Sequence, residues 1–291
     1  MKTIIVMNNK GGVGKTTTSD QIAVGFAKGG KKTLLVDLDP QANTTDMFGK
    51  QKNLKLEDFL REKLAVEDYT LGQFAKDFDR VESLPIDVSH VLLDANLIHQ
   101  GILKTKYEHL DLLPSSIKLA NADTKIREDN YNPQQNHLKD ALDLVANKYD
   151  YCVIDCPPIL NVLTVNALCA CNEVIIPIKV DVGAIKGFLV TLENIQKVVK
   201  GFKLKIKVNI LFTMVNRNNV DKLLIELFKK ICKNQVFETT IRNQAKAITQ
   251  AGFEQEFVIE DKNANVGADY QQLINEMMEK TAPEKHRYFN V

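Results

Sequence analysis

The chain has 291 residues, 44% of them hydrophobic and 26% charged, with a net charge of +1 and no tryptophan. This is the composition of an ordinary soluble globular protein, long enough for one large α/β domain or two small ones. It excludes a membrane span of roughly 20 apolar residues, and the early first strand leaves no room for a signal peptide, so a cytoplasmic protein is expected. The odd count of five cysteines argues against a disulfide framework, and Cys169 and Cys171 lack a second pair at zinc spacing.

The first apolar run, Thr3 to Met7, reads as a strand and enters KGGVGKTT at residues 10 to 17. A phosphate cradle needs glycines so that backbone N–H groups can converge on the anion. It also needs a lysine for the β/γ-phosphates and a hydroxyl for Mg²⁺. Gly12, Gly14, Lys15 and Thr16 supply these in order, and a helix carrying Ile22, Val24, Phe26 and Ala27 follows, placing its N-terminus under the phosphates. The strict pattern G-x-x-x-x-G-K-[ST] fails at its first position, where Asn9 stands. In its place Lys10 gives K-G-G-x-G-K-T-T, the deviant form of the Walker A motif.

The second strand, Thr33 to Asp37, runs into VDLDPQANTT. If it continues through Asp39, the carboxylates of Asp37 and Asp39 share a face and point at the phosphates. Pro40 then turns the chain out of the sheet, so Asp39 begins a loop able to respond to nucleotide state. Residues 50 to 108 interrupt the alternation with short helical patterns, Leu56 to Lys63 and Leu71 to Phe78, and show no chemistry.

Strands are expected again at Leu110 to Leu113, Tyr151 to Asp155, Glu173 to Ile178 and Val208 to Val215. Helices are expected at Gln134 to Asn147, Val162 to Cys171 and Ile185 to Val199. Strand and helix in alternation predict right-handed βαβ units and a doubly wound, mostly parallel sheet flanked by helices. In YDYCVIDCPP an apolar strand ends in Asp155, a Walker B form, and Mg²⁺ is the natural partner for a carboxylate so placed. From residue 184 to 246 there are 13 Lys and Arg against 4 Asp and Glu, whereas 51 to 100 holds 6 against 10. So concentrated a basic segment is the footprint expected of a polyanion site. The helical pattern of Ala268 to Lys280 predicts docking onto the core through Leu273, Ile274, Met277 and Met278.

With these motifs the chain resembles the ParA/Soj-type ATPases of the deviant-Walker-A group that includes MinD, over nearly its whole length. PSSIKLANAD (114 to 123), VIIPIKVDVGAIKG (174 to 187) and VFETTIRNQAKA (236 to 247) resemble further segments of that family. The resemblance implies a single P-loop ATPase domain over 1–291 with a helical insertion near 50–108, and ATP and Mg²⁺ as cofactors. It places Lys10, Gly11, Gly12, Val13, Gly14, Lys15, Thr16 and Thr17 on the nucleotide phosphates, and Asn216 is a candidate for the base. Thr16, Asp39 and Asp155 would serve the metal, and Lys10, Lys15 and Asp39 hydrolysis, with Lys10 reaching the ATP of a second copy in a sandwich dimer.

It further implies weak intrinsic ATPase activity, non-specific binding of double-stranded DNA by the ATP dimer, and stimulation by a ParB-like DNA-binding adaptor. The site of action would be the cytoplasm, on the nucleoid. Arg217, Arg242 and Lys246 are the candidate DNA contacts, although the family's I-P-R-N appears here as Ile241-Arg242-Asn243, without the proline. Only nine residues precede Lys10, so sequence-specific operator binding is not expected. Two alternatives are a MinD-like membrane-associated positioning ATPase, which would want a C-terminal amphipathic helix, and a cluster-carrying relative, which would want cysteines shared between protomers.

Overall fold

The apolar runs form a seven-stranded sheet in this computed structural model, which describes residues 1–49, 61–78, 84–129, 131–261 and 264–279. The strands are β1 (Lys2–Val6), β2 (Thr33–Asp37), β3 (Leu103–Lys104), β4 (Leu110–Leu113), β5 (Tyr151–Asp155), β6 (Glu173–Lys179) and β7 (Lys207–Thr213). Their order is β3-β4-β2-β5-β1-β6-β7, parallel throughout except for the β3–β4 pair. Helices cover both faces, so the central strands are buried on both sides and read as unbroken apolar runs.

Alternation along the strands divides the core in two. Ile5, Leu34, Val36, Cys152 and Ile154 face one layer of helices, and Ile4, Val6, Leu35 and Val153 face the other. The first layer holds α6 (Leu119–Glu128), α7 (His137–Asp143), α8 (Val162–Ala170), α9 (Ala184–Phe202) and α10 (Asn219–Cys232). The second holds α1 (Lys15–Lys28) and α12 (Asn265–Glu279). Phe26 of α1 stacks on Tyr151 at 4.2 Å between ring centroids. Gly25 lets α12 approach closely, since a Cβ there would stand 2.5 Å from Ile274. Leu273, Ile274 and Met277 are buried against this face, as expected for the last helix.

Within the interruption at 50–108, the Leu56 to Lys63 pattern falls largely outside the described residues. The Leu71–Phe78 pattern is a helix, α3. Further along, described residues of this stretch join the core. Val88, Val91 and Leu92 of α4 (Val88–Leu93) and Ile98 at the start of α5 (Ile98–Gly101) are buried with the first layer, and β3 adds an antiparallel edge to β4.

The helix expected from Gln134 starts only at His137, because the residues after Pro133 form a turn. The second strand ends at Asp37, as its expected bounds have it, and does not continue through Asp39: the Asp39 N–H turns back onto Asp37 Oδ1 at 3.1 Å. Asp37 and Asp39 therefore do not share a strand face. Asp37 is fully buried, and Asp39 lies beyond the sheet in the loop leading to α2 (Asn43–Phe48).

The chain leaves β1 at the centre and returns as β2 with β5 between them. The crevice at the C-terminal ends of β1, β5 and β2 is where open sheets of this kind take their ligands.

Candidate nucleotide and metal site

The loop at the end of β1 is fastened from below before it reaches its glycines. Asn8 donates through Nδ2 to the Pro177 carbonyl at 2.7 Å, and its Oδ1 accepts from the Lys10 N–H at 2.9 Å and the Thr191 hydroxyl at 3.1 Å. On the other side the Thr213 hydroxyl donates to the Val13 carbonyl at 2.9 Å. Gly12 and Gly14 take φ of +69° and +81°, the left-handed region that a side chain would strain.

Gly14 is also the N-cap of α1, and no side chain caps that helix. Its first N–H groups are left for an anion, with Thr16 and Thr17 in the first turn. Lys15 is nearly buried, with Nζ 3.5 Å from the Lys10 carbonyl. Burial lowers the Lys15 pKa, while Asp155 and Asp39 oppose that shift. A desolvated ammonium beside a shaped loop of free N–H groups fits a polyphosphate.

Asp155 ends β5 one strand away. Its Oδ2 accepts from Thr16 Oγ1 at 2.7 Å and Thr44 Oγ1 at 3.2 Å, and its Oδ1 accepts from Ser19 Oγ at 3.2 Å. Burial pushes the Asp155 carboxyl up to about 6, against the Thr16 hydrogen bond, with Asp39 adding repulsion. Burial likewise pushes Asp37 up to about 7, aided by the charge on Asp155, and raises Asp20, which accepts from Thr44 at 2.9 Å. Two buried carboxyls, Asp20 and Asp155, share the Thr44 hydroxyl, and buried Asp37 is close enough to repel Asp20 and be repelled by Asp155, an environment short of positive charge. The oxygen donors of Thr16 and Asp155 are hard ligands of the kind Mg²⁺ takes, so the residues present fit the metal.

The two lysines of the loop diverge. Lys15 turns inward, while the Lys10 ammonium pairs with Asp181, just before α9, and lowers that carboxyl's pKa. Gly183 and Gly187 make room for the Lys10 side chain: a Cβ at these positions would meet its Nζ at 3.2 Å and its Cβ at 3.3 Å.

Beyond β7 the segments carrying the remaining candidates lie side by side. The Val215 N–H donates to the Ile241 carbonyl and the Asn243 N–H to the Val215 carbonyl, each at 2.9 Å. Asn216 is exposed and accepts from Asn243 Nδ2 at 3.0 Å. With Arg217, Lys222 and Lys229 it lines an open cavity of about 490 Å³ at the N-terminus of α10. Arg217 and Lys246 are exposed. Arg242 is committed elsewhere, donating to Asp269 through Nε at 2.7 Å and Nη2 at 2.6 Å.

Thus Lys15, Thr16 and Asp155 converge with Asp39 close enough to influence both Lys15 and Asp155. Asn216, Arg217, Arg242 and Lys246 lie on the segments beyond β7, where Asn216, Arg217 and Lys246 are exposed and Arg242 is partly exposed. Sequence reasoning did not single out Ser19, Asp20, Thr44, Thr45, Ser115 or Asp181. Thr44, Thr45, Ser115 and Asp181 lie inside segments whose likeness to known ATPases was the available signal.

The AAA domain family matches residues 1–210. The sporulation initiation inhibitor protein Soj of Bacillus subtilis is 32% identical, over 95% of this chain and 98% of its own. The chromosome partitioning protein ParA of Myxococcus xanthus is 30% identical, over 98% of this chain and 90% of its own. Among solved structures, a plasmid partition protein of Borrelia burgdorferi bound to AMPPNP superposes with a TM-score of 0.72 at 27% identity, covering 96% of this chain and 99% of that one. With the deviant Walker A loop, the Walker B aspartate and a parallel sheet of this order, the chain belongs to the ParA/Soj family of P-loop partitioning ATPases.

Proposed function

We propose that this chain is an ATP- and Mg²⁺-dependent ATPase that partitions plasmid or chromosomal DNA, pairing into a sandwich dimer on ATP and binding DNA as that dimer. The observation that carries the reading is the divergence of two lysines in one loop. Lys15 is withdrawn against the cradle, whereas Lys10 stands outside it in a surface ion pair. Such pairs are worth about 0–1 kcal/mol, so Lys10 is readily released toward the nucleotide of a second copy.

In this reading the N–H groups of Gly12 to Thr17 hold the phosphates, Lys15 neutralises the β/γ-oxygens and Asn216 contacts the base. Thr16 and Asp155 hold the metal ion, which when bound draws charge from the phosphate oxygens. Asp39, in the loop after β2, orients the attacking water and helps hold the metal's shell. Hydrolysis stays slow until Lys10 arrives from the partner, and a ParB-like adaptor accelerates it.

The basic segment supplies the output. Arg217 and Lys246 neutralise backbone phosphates without reading bases, which gives DNA binding that weakens steeply with salt. No helix among the described residues is long and apolar enough to cross a membrane, and the reading places the protein in the cytoplasm on the nucleoid. The test is retention on double-stranded DNA of arbitrary sequence, with ATP and without. Lys15→Ala should abolish the ATP-dependent part; a Lys15→Ala protein whose DNA binding still responds fully to ATP would show the reading to be wrong.

A further inference from the structure

We infer that Thr45 and Ser115 are positioning residues for Asp39, holding the hydrolytic loop in place through a closed ring of four hydrogen bonds. The inference rests on the reading of Asp39 as a residue of hydrolysis.

The ring can be followed atom by atom. The Asp39 N–H donates to Asp37 Oδ1 at 3.1 Å. Thr45 Oγ1 donates to Asp37 Oδ2 at 2.7 Å. The Ser115 N–H donates to Thr45 Oγ1 at 2.8 Å, and Ser115 Oγ donates to the Asp39 carbonyl at 2.8 Å, closing the circuit. The Thr45 N–H adds a second donor to Asp37 Oδ2 at 2.8 Å.

Each member comes from a different part of the fold. Asp37 ends β2, Thr45 lies in the first turn of α2, and Ser115 follows β4, whose parallel register sets Leu113 beside Val36. Asp37, Thr45 and Ser115 are all buried, while Asp39 is half-buried with its carboxylate outside the circuit. The ring therefore grips the Asp39 backbone at both N–H and C=O and leaves its side chain available. That carboxylate is aimed locally by the Gln41 N–H, which donates to Oδ1 at 2.9 Å.

The loop needs this grip. Ala42, between Asp39 and Thr45, is held at φ +54°, a left-handed conformation that strains a residue with a Cβ. Without the ring the loop could relax out of it and carry Asp39 away. Removing the Thr45 hydroxyl takes one donor from buried Asp37 and the acceptor from the Ser115 N–H.

The test is steady-state hydrolysis by the full-length protein with Mg²⁺ and ATP, separating kcat from KM. Thr45→Val should lower kcat about ten-fold, since misplacement by an ångström is enough for such losses, with KM for ATP within about two-fold. Thr45→Ser keeps the hydroxyl and should stay within about two-fold of the parent in kcat. Ser115→Ala, which cuts only the link to the Asp39 carbonyl, should lose about three-fold. Thr45→Val added to Asp39→Asn should slow the enzyme no further.

An unchanged kcat in Thr45→Val, or losses that multiply in the double variant, would overturn the inference while leaving the role of Asp39 intact. An Asp39→Asn enzyme with full kcat would instead remove the reading on which it rests. Should Thr45→Val fail to fold, Ser115→Ala decides alone, and an unchanged kcat there overturns the proposal.

Discussion

The phosphate end of the molecule and its basic end are built on opposite plans. Around the loop the polar groups are buried and satisfied by one another: Asn8 under the loop, Thr16 and Ser19 on Asp155, Thr45 on Asp37. At the basic end Arg217 and Lys246 are exposed, and Arg217 lines an open cavity. The first region is shaped before its ligand arrives, so single atoms matter there. On the proposed function the second would work by summed charge, so single residues should matter less there. Arg242 is the instructive exception, a cation in the basic region that serves structure through Asp269.

The largest expected effect lies in the shaped region. Asp155→Asn should cut ATP hydrolysis by at least about a hundred-fold, the scale on which single preorganised electrostatic groups contribute. Its thermal midpoint without nucleotide should not fall, because a buried carboxylate is removed. A loss of folding with intact hydrolysis in the survivors would break the contrast.

The basic region should answer more gently and in two ways. Arg217→Ala should weaken DNA binding and reduce the salt slope by about one. Arg242→Ala should leave the slope nearly unchanged but destabilise the fold by about 1–3 kcal/mol, because buried Asp269 loses both guanidinium hydrogen bonds and keeps only the backbone N–H at position 242. Salt titrations of binding and denaturant unfolding separate the two, and identical behaviour would erase the distinction drawn here.

Smaller still is a dependence on pH. Asp37 is raised to about 7 and Asp155 to about 6 in the folded chain, chiefly by burial, against about 4 when unfolded. Between these values the folded state binds more protons than the unfolded one, so stability falls as pH rises through roughly 4 to 7. Without nucleotide and Mg²⁺ the thermal midpoint should drop by roughly 5 °C from pH 5 to pH 8, and Asp37→Asn should flatten the trend. A midpoint that rises over this range would contradict the burial of these carboxyls. The least effect is expected of Asp181→Ala, which frees Lys10. Pairing with Mg²⁺ and AMPPNP, followed by sedimentation, should tighten about three-fold, the size of a surface ion pair.

Much of this was legible in the sequence because it is local. The strand before the glycines, the helix after them and the acid ending β5 are contiguous signals, and alternating apolar runs gave the parallel sheet. What escaped depended on register between distant strands. The strand's end at Asp37 was legible, but nothing in VDLDPQANTT tells that the Asp37 carboxylate turns back to accept from the Asp39 N–H and so keeps Asp39 off the strand. Ser115 meets Asp39 only because β4 lies beside β2, and Asp20 sits on a helix whose buried face carries polar residues. Helices α4 and α5 lie within the 50–108 stretch, where the apolar runs are too short to show a period, and side chains of both join the core.

The central claim is that the loop senses nucleotide through Lys15 and recruits a second copy through Lys10. Sedimentation velocity of Lys10→Ala with Mg²⁺, AMPPNP and a DNA duplex tests it most directly. The account predicts a protein that binds nucleotide as tightly as the parent, stays monomeric and leaves the duplex free. A Lys10→Ala protein that dimerises and sediments with DNA would contradict it.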